Sequence, residues 1–411
     1  MRIQMPAQVE QIIRKLNENG YEAFAVGGCV RDALLGREPE DWDITTSARP
    51  GQVKALFRRT IDTGIQHGTV TVMIGRTGYE VTTYRIDGEY EDGRHPKRVE
   101  FTASLLEDLK RRDFTINAMA YSHETGIVDE FGGMADLAAG VIRCVGDPLE
   151  RFTEDALRIL RAIRFSAQLG FAVEAGTWKA ITMIAPNLAR VSRERIQVEL
   201  TKTLLSDHPE RIREVFETGM SPYISPVFAT LPQGRVRIPA TLPRVKYVRW
   251  AAFLRCACEQ GTTVFDGKMG EATGNTEAAA TAVRILKELK MDHDTIARVK
   301  TLVSWSGVEP VAEPEAVRRA MAQMEPELWD ALTELNEYGA AIRAQTAKIR
   351  ADGDCLRLSE LAVKGKDLID AGVKPGKEIG AILARMLNHV LAHPEDNERE
   401  TLLRVAELYH R

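Results

Sequence analysis

The sequence predicts an α+β fold: a mixed α/β N-terminal region followed by a chain of helices. Strand patterns concentrate in the first part of the chain, and apolar residues then recur at three- and four-residue spacing, as in amphipathic helices. The 411 residues also exceed the size at which one hydrophobic core keeps growing. We therefore expect a mixed α/β head (1–145), a helical neck (146–205), a helical body (206–350) and a helical tail (351–411).

The elements of the head are predicted from periodicity and turn residues. A helix is expected near residues 6–19 and an apolar strand, AFAVGG, at 23–28. A short helix, VRDALLG, and a strand around DWDITT follow. Two further strands are predicted at 68–75 and 79–86, before a charged, glycine-containing segment (87–99) that is typical of a mobile connection.

The remainder of the chain shows helical periodicity. It is clearest in EDALRILRAIRFSAQLGF, RERIQVELTKTLL and TAVRILKELK. A proline-rich stretch (221–243) and a Gly/Thr-rich stretch (260–276) are predicted to be loops. The segment LAVKGKDLIDAGVKPGKEIGAILARML places turn glycines and four lysines ahead of an amphipathic helix, which favours a separate tail.

The composition argues against several classes of protein. No run of eighteen apolar residues is present and the N-terminus lacks a signal-like apolar core, so we expect no membrane span and a cytoplasmic protein. Five cysteines without CxxC spacing argue against a disulfide framework and a zinc site. A net charge of −4 indicates that any polyanion must bind to local basic patches. The sequence gives no indication of oligomeric state.

Two carboxylates and a glycine pair are the first candidates for chemistry. Asp41 and Asp43 are two residues apart in a strand-like run, so both should project to the same side and could bind two Mg²⁺ ions for an in-line displacement. DxD alone is common and usually has no such role. Upstream, however, Gly28 and Arg31 belong to GGCVRD, where glycines permit close backbone approach and a guanidinium suits phosphate.

These residues resemble a known family, the class II tRNA nucleotidyltransferases and bacterial poly(A) polymerases. GGCVRDALLG with DWDI is similar to the first motif of that family. RRDFTINAMA, DEFGGMADL, EDALRILRAIRF and RERIQVEL are similar to the next four, in the same order. GKDLI and KPGKEIG resemble the tail of CCA-adding enzymes of Gram-positive type. The resemblance spans nearly the whole chain and is weakest between residues 201 and 350.

The resemblance implies a nucleotidyltransferase head and a set of site residues. Asp41 and Asp43 would hold Mg²⁺ as the catalytic pair, and Gly28, Arg31 and Arg112 would contact the nucleotide. Asp113 and Asn117 would make ribose or hinge contacts. Without the other motifs, RRDFT would more simply be a basic surface turn. Glu80 is a candidate third carboxylate, although the sequence does not fix its distance from Asp41.

A possible base-reading pair lies on the predicted helix EDALRILRAIRF. Asp155 and Arg158 offer an acceptor beside a donor, which matches the amino group and ring nitrogen of cytosine and of adenine. An ordinary i,i+3 surface ion pair between Asp155 and Arg158 is the simpler explanation of the same residues. The resemblance favours nucleotide selection, and implies that Arg161 and Arg164 face phosphate.

Several activities remain open within the family. The segment 84–101 resembles the flexible loop that CC-adding relatives lack, so CCA addition to tRNA from CTP and ATP is predicted, with A-addition alone as an alternative. Poly(A) polymerases usually carry a long basic C-terminal extension, and this chain ends with mixed charge. A non-catalytic RNA-binding protein is the alternative from another class. Four lysines of the tail are either solvated turn residues or candidate contacts to the tRNA acceptor arm: Lys364, Lys366, Lys374 and Lys377.

Overall fold

The structure is a computed structural model that describes residues 2–87, 99–239, 241–258, 261–267 and 274–410. Most of the predicted flexible segment, residues 88–98, therefore lies outside the described residues. No described helix is both long enough and apolar enough to cross a lipid bilayer.

The chain forms two compact units, and each is described by itself. The first unit comprises Met1–Gln233 and Glu288–Lys290, and the second comprises Gly234–Lys287 and Met291–Arg411. The four predicted parts have boundaries that this division does not test, so they stay predictions.

The strands of the described residues are short. In chain order, β1 to β13 are Ala23–Val26, Ile44–Thr46, Thr60–Gly64, Thr69–Ile74, Thr77–Thr83, Arg85–Asp87, Val99–Phe101, Met119–Ser122, Gly126–Asp129, Val141–Ile142, Ala172–Val173, Thr263–Phe265 and Val308–Pro310.

The helices dominate the chain after residue 147. In chain order, α1 to α21 are Ala7–Glu18, Gly28–Leu34, Pro50–Leu56, Leu105–Lys110, Gly133–Ala139, Pro148–Glu154, Leu157–Leu169, Ala175–Ile184, Arg193–Leu204, Glu214–Glu217, Ser221–Ile224, Pro226–Ala229, Lys246–Leu254, Thr276–Glu288, His293–Ser304, Pro314–Met321, Pro326–Leu335, Ala340–Asp352, Gly365–Asp370, Lys377–Ala392 and Arg399–His410.

A seven-stranded mixed sheet organises the first unit. Its strand order is β3-β4-β5-β2-β1-β8-β9, in which β2 and β5 are parallel and the other pairs are antiparallel. The interior strand β1 is buried along its whole length, as its apolar sequence AFAV predicts. α1 packs on the sheet through Val9, Ile12, Ile13 and Leu16, whose three- and four-residue spacing places them on one face.

The second unit is mainly helical and contains a distinct apolar cluster near its C-terminal end. Leu361, Val363 and Leu368 pack with Ile382 and Met386 of α20 in this cluster. The predicted combination of a mixed α/β head and a helical remainder is thus confirmed.

Three of the local predictions are wrong in detail. The proline-rich stretch 221–243 is predicted to be a loop, but it contains α11 and α12, each with a proline in its first turn, where proline is compatible with a helix. Residues 260–276 were expected to be a loop, but β12 within them pairs in parallel with β13. Phe265 of β12 packs edge-on against Trp305, with ring centroids 5.4 Å apart, and this burial accounts for a strand where Gly and Thr predict a turn. The predicted strand 79–86 divides at Tyr84, because β6 leaves the main sheet and pairs with β7.

Candidate functional site

A pocket of about 430 Å³ opens within the first unit. It lies at the carboxyl end of β1, between the start of α2, the turn that follows α4, the start of α7 and the first turn of α9. Six arginines and three aspartates dominate its lining, so it is strongly polar with a positive excess. The lining residues of this arginine-lined pocket are Gly27, Gly28, Arg31, Asp43, Arg111, Arg112, Asp113, Asn117, Asp155, Leu157, Arg158, Arg161, Phe165 and Arg195.

The glycine pair forms the turn from β1 into α2. Gly27 has φ +82°, a conformation that residues with a side chain rarely adopt. A Cβ at this position would lie 3.0 Å from Nη1 of Arg112. Gly28 follows as the first residue of α2. The two glycines therefore let backbone line the pocket without side chains and leave room for the Arg112 guanidinium.

Arg31 is held rigidly on α2. Its guanidinium donates to both carboxylate oxygens of Asp32, at 2.9 Å each, and to Oδ1 of Asn117 at 2.7 Å. Its Cζ also lies 5.1 Å from the centroid of the Phe165 ring. Arg31, a predicted nucleotide contact, and Asn117, predicted to make ribose or hinge contacts, thus form one hydrogen-bonded pair in the wall of the pocket.

Asp41 and Asp43 precede β2, which begins at Ile44 and not at Asp41 as expected. Both aspartates have solvent-exposed surface, whereas Trp42 between them is buried. Surrounding protein atoms nevertheless desolvate the carboxylate of Asp43. The carbonyl of Asp43 accepts a hydrogen bond from the amide of Val26 at 3.0 Å, so extended pairing continues back to this residue. Asp43 lines the arginine-lined pocket, and Asp41 lines a neighbouring pocket of about 770 Å³.

A third carboxylate lies beside this pair. Ile44 of β2 is in parallel register with Val81 of β5, which brings Asp43 level with Glu80. Burial, and then the nearby Asp43 and Asp41, raise the pKa of Glu80. Burial likewise raises the pKa of Asp43, which Asp41 raises further and Arg112 partly offsets.

The donor chemistry of this site fits a hard divalent cation. Its groups are carboxylate oxygens, which Mg²⁺ and similar ions prefer. In the part of the chain that the structure describes, no three His, Cys, Asp or Glu side chains converge tightly enough to hold a metal by themselves. An ion there would take its other ligands from water or from a phosphate.

The prediction that Glu154, Asp155 and Arg158 share one helix is wrong. α6 ends at Glu154 and α7 begins at Leu157, and Asp155 between them has φ −140° and ψ 101°. Its Oδ1 accepts a hydrogen bond from the Leu157 amide at 3.1 Å, so the side chain caps the next helix. The sequence pattern predicts a continuous helix because an aspartate three residues before an arginine is found both inside helices and just before their first turn.

Asp155 and Arg158 nevertheless line the same pocket, each with a separate partner. Oδ2 of Asp155 accepts from Nη2 of Arg195 on α9 at 2.7 Å. Arg158 is buried and pairs with Glu154 at 3.0 Å. It also donates to the carbonyls of Arg151 and Arg111, both at 3.1 Å. Arg158 is therefore fixed, although no acceptor among the described residues bonds its Nε.

The two remaining arginines of α7 point in different directions. Arg161 lines the pocket and donates from Nε to Oδ2 of Asp113 at 2.7 Å. Arg164 is outside the lining, with its Nε 2.9 Å from Oε2 of Glu199, and burial lowers its pKa to about 10. Asp113 is buried. Burial would raise its pKa, but the charge and hydrogen bonds of Arg161 hold it at about 2.

Three pocket residues had no role in the sequence prediction. Arg195 lies in the quoted segment RERIQVEL and Arg111 in RRDFT, so the motifs contain them without distinguishing their contacts. Phe165 has no polar signature, and yet Arg31, Arg161 and Arg164 all lie within 5.4 Å of its ring centroid.

None of the four tail lysines or the five cysteines lines this pocket, although Cys29 follows the lining residue Gly28 and its Sγ lies 3.9 Å from the carbonyl oxygen of Asp43. All four lysines are exposed in the second unit, and Lys364 donates from Nζ to the carbonyl of Ser359 at 2.5 Å. All five cysteines are buried and unpaired. Burial raises the pKa of Cys29 to about 11, which makes it a poor nucleophile.

Comparison with known proteins identifies the family models that the chain matches. Residues 23–143 match the poly(A) polymerase head domain. Residues 170–231 match an RNA- and SrmB-binding region of polymerase A, and residues 273–406 match the second domain of tRNA nucleotidyltransferases.

Curated relatives and a solved structure cover the chain more completely. The CCA-adding enzyme of Levilactobacillus brevis is 38% identical over 395 residues, which is 95% of each chain. That of Leuconostoc mesenteroides is 54% identical over 206 residues, which is 50% of this chain and 51% of that enzyme. The crystal structure of the Bacillus stearothermophilus CCA-adding enzyme with CTP is 32% identical, has a TM-score of 0.81, and covers 100% of this chain and 98% of its own. The chain therefore belongs to the CCA-adding enzymes, a family of nucleotidyltransferases.

Proposed function

We propose that this protein adds C, C and A to the 3′ end of tRNA from CTP and ATP, and that the arginine-lined pocket binds the incoming nucleotide. One observation carries the proposal: six arginines, the glycine turn and Asp43 meet in one pocket of the first unit. A triphosphate requires concentrated positive charge and close backbone approach, and the pocket offers both.

Asp41 and Asp43 are the proposed ligands of Mg²⁺, with Glu80 beside them. The bound ion would lower the pKa of the attacking 3′-hydroxyl and neutralise the phosphates. Arg112 is next to Asp43 and affects its pKa, so we assign Arg112 to the triphosphate. In the overall reaction the 3′-hydroxyl oxygen bonds to the α-phosphorus as the bond to pyrophosphate breaks.

Arg31 and Arg161 are proposed to bind phosphate or sugar oxygens from fixed positions. Each is already anchored by a carboxylate, Asp32 and Asp113 respectively, so little side-chain freedom is lost when a nucleotide binds. Arg164 is assigned a supporting role through Phe165, because its own charge is matched by Glu199.

Base choice is assigned to Asp155 and Arg158. A carboxylate can accept from the amino group of cytosine or adenine, and a guanidinium can donate to the adjacent ring nitrogen. Uracil and guanine present the opposite order and would leave buried charged groups unpaired, which costs more than a poor fit of shape. The Nε of Arg158 is a donor that could serve this purpose.

The test is extension of a tRNA that ends at the discriminator base. Purified protein is incubated with Mg²⁺ and labelled CTP, ATP or both, and products are resolved at single-nucleotide length. Three added nucleotides support CCA addition, whereas A alone on a tRNA ending in CC would indicate an A-adding enzyme. Binding without extension would indicate an RNA-binding protein.

Two variants test the residue assignments. Asp41→Ala is expected to abolish transfer of both nucleotides with an unchanged far-ultraviolet circular dichroism spectrum, and retained transfer would exclude Asp41 as a metal ligand. Arg158→Ala is expected to reduce the preference for C and A over U by about 100-fold, since a charged hydrogen-bond donor to the base is lost. Arg14→Ala, an exposed change on α1, serves as the control.

A further inference from the structure

A buried carboxylate behind the arginine-lined pocket has no role in the proposed chemistry. Asp108 is on α4 and is 0% exposed. An ionised carboxylate so placed is costly unless several donors satisfy it. The donors around the Asp108 carboxylate therefore indicate which residues it orients.

Two of its partners are the adjacent pocket arginines. Arg111 donates to Oδ1 of Asp108 from Nε at 2.9 Å and from Nη2 at 2.7 Å. Arg112 donates from Nη2 to Oδ2 at 3.4 Å. Burial would raise the pKa of Asp108, but these two guanidinium groups lower it below its ordinary value, so the carboxylate is ionised at neutral pH.

The other partners fix the carboxylate to the sheet. Thr45 of β2 donates from Oγ1 to Oδ2 at 3.1 Å, and the amide of Arg85 on β6 donates to Oδ1 at 3.4 Å. Thr45 is two residues after Asp43, so one short strand connects the metal carboxylate and the anchor of Asp108. The Asp108 carboxylate is thus oriented in part by β2, the strand that directly follows Asp43.

Arg112 depends on this anchor. Its Nη1 lies 3.0 Å from the Cβ position of Gly27, so the guanidinium is packed against the glycine turn. Its Nε is buried and bonds to no acceptor in the described part of the chain. The contact with Asp108 is accordingly what orients the guanidinium towards the pocket.

We propose that Asp108 is a positioning residue that orients Arg112 for binding the triphosphate of the incoming nucleotide. The proposal rests on the assignment of Arg112 to the triphosphate given above. Asp108 itself touches no substrate, so its effect passes entirely through the arginine.

Asp108→Asn tests the proposal, because it keeps the shape and removes the charge. We expect the KM for CTP and for ATP to rise by the same factor, about tenfold, since a charge-assisted hydrogen bond is lost, with a smaller change in kcat. In an Arg112→Met background the same substitution should add no further increase. Equal increases in both backgrounds would overturn the proposal, because they would show an effect independent of Arg112.

A second pair of variants covers the case in which Asp108→Asn fails to fold. Thr45 and Thr46 are neighbouring, fully buried residues of β2, but Thr46 donates to the carbonyl of Glu22. Thr45→Val should raise KM for both nucleotides and Thr46→Val should not, although both lose a buried hydrogen bond. Equal KM values for these two variants would refute the positioning role.

The assay also separates this proposal from the proposed function. If Arg112→Met alone leaves KM unchanged, the assignment of Arg112 to the triphosphate is wrong. If Arg112→Met raises KM while Asp108→Asn and Thr45→Val do not, the assignment stands and only the positioning role of Asp108 is excluded.

Discussion

Removing one carboxylate from the proposed metal site should stabilise the metal-free protein and abolish its activity. Asp41, Asp43 and Glu80 lie together, and burial followed by mutual repulsion raises the pKa of Glu80, as burial does for Asp43. An acid with a raised pKa is less favourably ionised in the fold than in the unfolded chain. Its contribution to stability is present at low pH and is lost as the pH rises through the folded pKa, so at pH 7 the charge of Asp43 is destabilising.

The size of the effect follows from the spacing of the chain. Two residues of extended chain span about 6.6 Å. Two unit charges at that distance repel by about 2.5 kcal/mol at an effective dielectric constant of about 20, and by about 0.6 kcal/mol in water. Desolvation of the Asp43 carboxylate adds to this repulsion, whereas the attraction of Arg112 and screening by solvent reduce it, so we expect Asp43→Asn to gain about 1 kcal/mol. For a unit of this size, that corresponds to an increase in Tm of about 3 °C.

Magnesium should reverse this order. An ion that binds only the folded wild type adds about 1.4 kcal/mol at ten times its Kd, whereas Asp43→Asn lacks a ligand and should gain little. Thermal unfolding is measured in chelator and in a Mg²⁺ series, with Glu18→Gln as an exposed control of equal charge change. A lower Tm for Asp43→Asn in chelator, or equal Mg²⁺ stabilisation of both proteins, would refute the reasoning.

Three further variants test other contacts of the pocket. Gly27→Ala should raise KM for both nucleotides several-fold in steady-state assays, because the new methyl group meets Arg112 at 3.0 Å and the backbone has φ +82°; an unchanged KM would contradict the close approach. Asp113→Asn should lower the free energy of unfolding by about 2 kcal/mol, measured in urea at pH 7, because the folded state lowers the pKa of Asp113 from 3.8 to about 2. The stabilisation by the Asp113 carboxylate is fully present above pH 4 and is lost as the pH falls through 2. A difference from wild type that does not shrink in acid would contradict this prediction. Arg195→Met removes the hydrogen bond to Oδ2 of Asp155, and should increase misincorporation of U more than it reduces the rate of C and A addition in single-nucleotide extension assays. Unchanged fidelity would exclude a role of Arg195 in orienting Asp155 for base choice.

The sequence predicted best where chemistry depends on local periodicity. Strand alternation predicts Asp41 and Asp43 on one side. The structure exposes both while Trp42 between them is buried, and Asp43 lines the arginine-lined pocket whereas Asp41 lines a neighbouring one. The glycine turn after β1 was likewise visible as two glycines at the end of an apolar run. In both cases neighbours in sequence are neighbours in space, so residue spacing alone was enough to select these residues as candidates.

Prediction failed where a distant side chain decides the conformation. Asp155 was placed within a helix, but it caps α7 and is held by Arg195, which is forty residues further along the chain. β12 forms because Phe265 packs on Trp305, a contact that no local pattern contains. Glu80 could be identified as a candidate, but only the register of β2 with β5 brings it level with Asp43.

The chain has a weak net charge and yet contains a strongly basic pocket, because carboxylates lie beside the arginines of that pocket. An unaccompanied cluster of guanidinium groups would repel itself and would adopt many orientations. In this pocket, arginines are matched to carboxylates that lie beside or behind them, which reduces the repulsion and fixes the remaining N–H donors before a ligand arrives. The matched pairs are Arg31 with Asp32, Arg112 with Asp108, Arg158 with Glu154, Arg161 with Asp113 and Arg195 with Asp155. The acidic residues beside these arginines therefore prepare the pocket for a polyanion, and replacing any of them should weaken nucleotide binding even though a negative charge has been removed.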